Sequence, residues 1–272
     1  MPDPVVAALR RQRSIAIAAL ALLTLLAWGW LLLGAGMGPG IHAELTPYPW
    51  RSAVGAMPPD MPMDMAMDMS VAWSAGQFLL AFSMWWVMMV AMMIPAAAPV
   101  ILLFARAVPR TDGPPPTGPF LAGYVVVWGL FSVFAAGLQG LLNATGLLGP
   151  MTMGFSGKWI SAAVIAAAGL YQLSPLKEAC LTHCRNPAVF LTRHYRGGRA
   201  GAFRLGVIHG AFCTGCCWLL MALLFVGGVM NLAWIALLTL LVAAEKLLPS
   251  GRRMAIAAGL GFIVWGLATA FA

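Results

Sequence analysis

Long apolar stretches separated by short polar segments dominate the pattern along this chain. Most of the stretches are long enough to cross the roughly 30 Å hydrocarbon core of a bilayer as helices. Proline and glycine are frequent between the stretches, where they tend to end helices. The pattern therefore predicts an all-α fold, a polytopic membrane bundle of about seven transmembrane helices. The predicted spans are residues 14–36, 74–105, 119–142, 158–173, 201–228, 230–248 and 254–272.

The positions of the charged residues predict an orientation for this bundle. The chain has 16 Lys and Arg residues, and most of them lie in the segments between apolar stretches. If the N-terminus is cytoplasmic, Arg51 and Lys158 are the basic residues left on the opposite side, as the positive-inside rule requires. We therefore predict a cytoplasmic N-terminus and a periplasmic C-terminus. Glu245 and Lys246, near the end of the sixth predicted span, are expected to extend toward the membrane surface.

Composition supports a membrane protein and divides the chain into three parts. Hydrophobic residues make up 61% of the chain and charged residues 9%, which is typical of a chain with the lipid bilayer as a partner. The net charge of +8 does not indicate nucleic acid, because the basic residues are not interleaved with aromatic residues that could stack on bases. The predicted parts are an N-terminal tail with the first span (1–36), a periplasmic Met-rich loop (37–73) and a six-helix membrane domain (74–272).

The fifth predicted span carries an imidazole and three thiols on one helix face. His209, Cys213, Cys216 and Cys217 fall within a stripe about 100° wide, at about 100° of rotation per residue. Soft donors on one face are typical of a site for Cu(I) or, less selectively, Zn(II). Cysteine also packs as a small apolar residue. The presence of several donors together favours the metal-site interpretation.

A second group of soft donors follows the fourth predicted span. Cys180, His183 and Cys184 have the i, i+3, i+4 spacing that places side chains on one helix face. They are predicted to lie at the cytoplasmic end, where thiols are normally kept reduced, so metal or thiol chemistry is expected rather than a disulfide framework. We expect the two groups to converge on one ion. His194, further along the same polar segment, is expected to be a solvated residue.

Methionines form two further patterns. In the 37–73 loop they alternate with other residues, and thioethers there could capture a soft cation; a low-complexity loop is the alternative. In the second span a stripe repeats at i, i+4 and i+8, with Met89 and Met93 as an adjacent pair. Filling of the protein core by flexible side chains is the alternative for this stripe, and Pro95 and Pro99 are expected to kink the helix and free backbone carbonyls. The predicted donors are Met61, Met63, Met65, Met67, Met69, Met84, Met88 and Met92.

Several motifs together resemble a bacterial family of predicted metal-binding integral membrane proteins, a family known as a domain of unknown function. The resemblance covers roughly residues 74–272 and implies metal binding in the bacterial inner (cytoplasmic) membrane. The motifs that carry it are the segments 84–95, 171–187, 209–218, 228–232 and 245–247.

The sequence therefore favours a membrane protein that binds a soft metal, above all copper(I), for uptake, transfer or delivery. Its partners would include the bilayer, the metal ion and a periplasmic or cytoplasmic metal chaperone. No Gly-x-x-x-x-Gly-Lys motif occurs, so pumping driven by ATP within this chain is not expected. Two alternatives remain open: a membrane thiol oxidoreductase, which would be an enzyme, and an assembly protein in which zinc is a structural site.

Overall fold

The computed structural model describes residues 4–34, 74–107, 115–149 and 153–271, with side chains from residue 14 onward. The first part of the described chain forms α1 to α5, and the second part forms α6 to α10. The first five are α1 (Pro4–Leu32), α2 (Ala75–Ala107), α3 (Thr117–Ala144), α4 (Lys158–Leu173) and α5 (Pro175–Arg185). The others are α6 (Pro187–His194), α7 (Gly198–Ala222), α8 (Leu224–Gly227), α9 (Leu232–Leu247) and α10 (Gly251–Phe271).

The predicted all-α bundle is confirmed. Five helical segments are long and apolar enough to cross a membrane, and they lie in α1, α2, α3, α7–α8 and α10. The α4–α5 pair qualifies as a sixth span if its 63° bend is allowed. Helix α9 has 16 residues, which is shorter than the roughly 20 that a full span needs. A seven-span arrangement and its orientation therefore stay predictions.

Helix α2 lies at the centre of the bundle. Its methionines, including the Met84, Met88 and Met92 stripe, are fully buried, and it packs against α1, α3 and α9. The helix continues through both of its prolines. Pro95 has no N–H to donate to the carbonyl of Ala91, as expected, and that carbonyl accepts a hydrogen bond from Trp28 Nε1 at 3.2 Å instead. The freed carbonyl thus joins α1 to α2.

Glycines let α3 and α7 approach closely. A side chain at Gly206 would collide with the carbonyl oxygen of Phe120, and one at Gly123 would collide with that of Phe203. Gly206 and Gly210 are one helical turn apart, a spacing that brings backbones together in membrane helices. This contact fixes the helix face of α7 that carries its thiols.

Two helices that begin with proline, α5 and α6, follow α4 directly. Ser174 ends α4, and its hydroxyl accepts a hydrogen bond from the backbone N–H of Lys177 at 3.2 Å, which caps α5. Pro175 and Pro187 occupy the first turns of α5 and α6, where their missing N–H groups carry no penalty. The resulting bend turns α5 toward α7, against which it packs.

The outer helices expose apolar side chains on one face. Leucine, valine and isoleucine side chains of α10 recur at helical spacing on its exposed side. A soluble protein would not leave such a continuous apolar stripe in water, so this face suits lipid. The exposed residues are Ile256, Leu260, Val264, Leu267 and Phe271.

We expect Gly206→Ala to destabilise the protein because the added methyl group must displace the backbone of α3. Overpacking of this kind costs about 1–3 kcal/mol. The measurement is thermal unfolding of the purified protein in detergent. Gly137→Ala on α3 is the matched control, since nothing lies within 4 Å of its added methyl. Equal unfolding temperatures for the two variants would contradict the close approach.

Candidate metal centre

The two cysteine groups of the sequence meet in the structure. The thiol of Cys184 on α5 interacts with the thiols of Cys213 and Cys216 on α7. Cys217 belongs to the same cluster through its interactions with Cys213 and Cys216. We call these four residues the thiol cluster. Its three α7 members are each about 1% exposed, so the cluster lies inside the bundle.

Within the cluster, two thiols are hydrogen-bonded to their own helix. Cys216 Sγ donates to the carbonyl oxygen of Cys213 at 3.1 Å, and Cys217 Sγ donates to the same oxygen at 3.0 Å. Both bonds are local, so a rotation about χ1 can release either sulfur without moving the backbone. These two sulfur atoms, on one face of α7, can therefore turn toward a bound metal ion.

Three residues that sequence reasoning did not assign to the site complete its surroundings. Lys246 Nζ of α9 lies 2.9 Å from Cys213 Sγ and 4.0 Å from Met93 Sδ. Cys217 Sγ lies 4.0 Å from the same thioether. The hydroxyl of Tyr124 lies 3.0 Å from Cys213 Sγ and donates to the carbonyl of Met93 at 3.3 Å. Helices α2, α3 and α9 thus each contribute a group to the cluster formed by α5 and α7.

The expectation that Glu245 and Lys246 reach the membrane surface is wrong. Both are buried, at 2% and 7% exposure. Lys246 points to Cys213, while Glu245 accepts hydrogen bonds from Lys177 Nζ and Gln172 Nε2, each at 2.6 Å. Hydrophobic periodicity could not predict this burial, because it does not show which groups lie opposite a side chain. Glu245 and Lys246 are adjacent and point about 100° apart, and each contacts a buried partner of its own.

Charge balance explains the contact of Lys246 with sulfur. The described part of the chain contains two carboxylates: Glu245 pairs with Lys177, and Glu178 pairs with Arg252. A buried ammonium needs a negative or strongly polar partner. Among the described residues, the polar group that faces the Lys246 ammonium is the sulfur of Cys213, at 2.9 Å.

His209 borders the cluster from α7. It is 2% exposed, and its Nδ1 atom is buried without a hydrogen-bond partner. Its ring packs against Tyr124 and Phe190, with ring centres 5.5 and 5.3 Å apart. An unpartnered buried nitrogen is costly, which makes His209 a candidate to turn toward a ligand of the cluster.

The remaining predicted donors are placed elsewhere. Cys180 is half-buried, and its sulfur lies against Gly215 on α7. His183 lies at the surface, stacked on Phe212 with ring centres 4.0 Å apart. The i, i+3, i+4 group on α5 therefore separates, and only Cys184 joins the thiol cluster.

Met84, Met88 and Met92 are buried in α2, where packing accounts for their position. The predicted donors outside the described residues are Met61, Met63, Met65, Met67 and Met69.

The cluster is not a closed coordination sphere. In the part of the chain that the structure describes, no three His, Cys, Asp or Glu side chains are already arranged around one ion position. The donors that lie together are thiols and one thioether, and these are soft ligands. Fold and site together define an α-helical protein with several candidate membrane spans and a buried, sulfur-rich centre.

Comparison with known families agrees with this description. The family model PpoB2, described as copper chaperone, matches residues 82–269. The chain belongs to this family, and its function is therefore related to copper. The match contains α3 to α9 entirely, and with them every member of the thiol cluster. No curated protein and no solved structure matches the chain.

We expect Glu245→Gln to destabilise the protein strongly, because it leaves the buried ammonium of Lys177 without a counter-charge. Breaking a buried ion pair from one side costs about 3–5 kcal/mol. The measurement is chemical or thermal unfolding in detergent.

Two further variants serve as controls for this prediction. Glu178→Gln breaks the partly exposed pair with Arg252, which should cost under about 1 kcal/mol. The double variant Lys177→Met/Glu245→Gln should recover much of the loss. A small effect of Glu245→Gln alone would show that the pair does not hold α5 against α9.

Proposed function

We propose that this protein binds copper(I) inside the bacterial inner membrane through the thiol cluster and hands it to a partner. The observation that carries the proposal is the meeting of Cys184 with Cys213 and Cys216 from a different helix. A thioether and two more polar groups surround these sulfur atoms. The family match to a copper chaperone supports copper as the metal.

The chemistry of the donors favours copper(I) over harder ions. Thiolate and thioether ligands select Cu(I), whereas carboxylate and water ligands suit Mg²⁺ or Ca²⁺. No carboxylate of the described chain contacts the cluster, because both are paired elsewhere. Copper(I) is here the cargo, and the protein's own residues hold it, exclude water and release it.

One distance within the cluster agrees with a trigonal site. Two sulfur atoms that each lie about 2.3 Å from one ion, at a trigonal angle of about 120°, are about 4.0 Å apart. Cys217 Sγ and Met93 Sδ are 4.0 Å apart. These two atoms could therefore share one ion with little movement, and rotation of Cys213 or Cys216 would add a third sulfur.

The Met-rich segment and the predicted orientation suggest a direction for the proposal. If residues 37–73 are periplasmic, their thioethers would collect copper on that side of the membrane. The thiol cluster, which lies deep in α7 and at the end of α5, would then receive it. Uptake followed by delivery inside the cell is the order that this arrangement supports.

A membrane thiol oxidoreductase is less well supported. Exchange with soluble thiols requires an accessible, activated sulfur, and the thiols of Cys213, Cys216 and Cys217 are about 1% exposed. A structural zinc site would need a closed tetrahedral set of ligands. Reversible loading of copper, rather than a disulfide that cycles or a zinc ion that does not exchange, is the distinguishing behaviour.

We expect the purified wild-type protein, loaded with Cu(I) under reducing conditions, to retain about one copper per cluster with sulfur neighbours. Cys213→Ser and Cys216→Ser should each lower the retained copper at least tenfold, since a hydroxyl is a poor ligand for a soft ion. Elemental analysis and X-ray absorption give the copper content and the neighbouring atoms.

Cys180→Ser is the matched control for these variants. It removes one thiol from the same region, but that sulfur is only half-buried and lies beside Gly215, at the edge of the cluster. It should therefore keep its copper. If Cys213→Ser and Cys180→Ser bound copper equally well, the proposed site would be wrong.

We also expect Lys246 to make the site selective for a monovalent ion. A positive charge about 4 Å from the metal repels a divalent ion about twice as strongly as a monovalent one, a difference of several kcal/mol at an effective dielectric constant of about 20. Lys246→Leu, which removes the charge without adding a donor atom, should therefore increase Zn(II) binding relative to Cu(I) by about 10²-fold or more, measured by competition between the two ions.

Lys246→Arg retains the charge and is the control for this selectivity. It should keep the wild-type preference for copper(I). An unchanged ratio of zinc to copper in Lys246→Leu would contradict a role for the charge.

A further inference from the structure

Two histidines lie side by side at the surface, next to the thiol cluster. The rings of His183 on α5 and His194 at the end of α6 have centres 6.5 Å apart. Both side chains are partly exposed. The break between α5 and α6 at Pro187 brings them together, although eleven positions separate them in the sequence.

Each of these rings is held by one of its two nitrogen atoms. His183 Nδ1 lies 2.7 Å from the carbonyl oxygen of Ala179, and His194 Nδ1 lies 3.0 Å from that of Phe190. A carbonyl oxygen accepts, so Nδ1 is the donor in both rings, and in a neutral imidazole with this tautomer the lone pair is on Nε2. Metal-binding histidines commonly have this arrangement, in which a backbone carbonyl fixes the tautomer and the ring orientation.

The separation of the rings suits a single shared ion. A metal lies about 2.0 Å from an imidazole nitrogen and about 3.2 Å from the ring centre, so two rings on opposite sides of one ion have centres about 6.4 Å apart. The observed separation is 6.5 Å, with the ring planes inclined at 59°, so the two rings are close enough to bind one ion once their Nε2 atoms turn toward each other. Among the ions suited to this protein, copper(I) is the one that accepts only two ligands.

The histidine pair is connected to the thiol cluster by adjacent residues. His183 and Cys184 are neighbours on α5, so their side chains point about 100° apart: the imidazole lies at the surface and the thiol in the cluster. Phe190 lies between the two regions, with ring centres 5.0 Å from His194 and 5.3 Å from the buried His209. The two sets of donors are therefore joined by neighbouring residues of α5 and by the packing of one aromatic ring.

We propose that His183 and His194 form a second copper(I) site, at which the ion is exchanged between the thiol cluster and a partner protein. This inference rests on the proposed function. Two neutral nitrogen ligands bind Cu(I) more weakly than several sulfur atoms do. The exposed pair would therefore exchange its ion readily, while the buried cluster retains it.

The test separates the two sites by removing the buried one. In a Cys213→Ser/Cys216→Ser background, the full-length protein is titrated with Cu(I) from a chromophoric chelator. We expect residual binding of one ion with nitrogen neighbours in X-ray absorption. Adding His194→Gln should weaken this binding at least tenfold, and adding His183→Gln should do the same. Thr192→Ala, which changes an exposed side chain two residues before His194, is the matched control and should have no effect.

A second readout concerns transfer. With the cysteines intact, His194→Gln should leave the copper content of the protein unchanged but slow the transfer of copper to an external chelator at least tenfold. Glutamine can still donate a hydrogen bond to the carbonyl of Phe190, so the helix end should stay folded.

The outcomes distinguish the inference from the proposed function. If Cys213→Ser leaves the copper content unchanged, the proposed function fails. If Cys213→Ser removes copper as expected, while His194→Gln changes neither the residual binding nor the transfer rate, only the histidine site is overturned. Residual binding through sulfur neighbours, independent of both histidines, would also overturn it and leave the stacking of His183 on Phe212 as simple packing.

Discussion

The contact between a buried ammonium and a buried sulfur is the interaction around which this bundle is arranged. Lys246 cannot remain inside an apolar core unless a group with negative charge or a strong dipole faces it, and Cys213 lies 2.9 Å away. The neighbouring Glu245 is held by Lys177 and Gln172. The contact of Glu245 with Lys177 orients α9 so that the next residue, Lys246, faces α7. The Lys177–Glu245 ion pair therefore positions the ammonium of Lys246 beside the thiol cluster.

Close packing gives this interaction its rigid frame. The glycines of α3 and α7 allow two backbones to approach, and this fixes which face of α7 looks inward. The bend after Ser174 then turns α5 toward α7, so that Cys184 joins the cluster from a second helix. Met93, on the central helix α2, adds a thioether 4.0 Å from Cys217 Sγ. The result is a sulfur-rich centre with donors from α2, α5 and α7. None of these helices carries a complete site alone.

Periodicity was sufficient to predict part of this arrangement. Apolar stretches predicted the all-α bundle, and the 100° rule placed Cys213, Cys216 and Cys217 on one face of α7, which is buried as a unit. The same rule grouped Cys184 with two neighbours that face elsewhere. Sequence spacing predicts which residues share a helix face. It does not predict which residues of another helix pack against that face. The role of Lys246 depends on that missing information.

The separation of His183 from Cys184 has a consequence for how copper could be held and released. Buried sulfur donors bind a soft ion tightly, but a partner protein cannot reach them. Nitrogen donors at the surface bind it more weakly and are open to exchange. A protein that transfers an ion needs both tight binding and ready exchange. The adjacent residues His183 and Cys184 of α5 place the two kinds of donor next to each other. The sharp turn at Pro187, which brings His194 back toward His183, therefore contributes more to such a role than a continuous helix could.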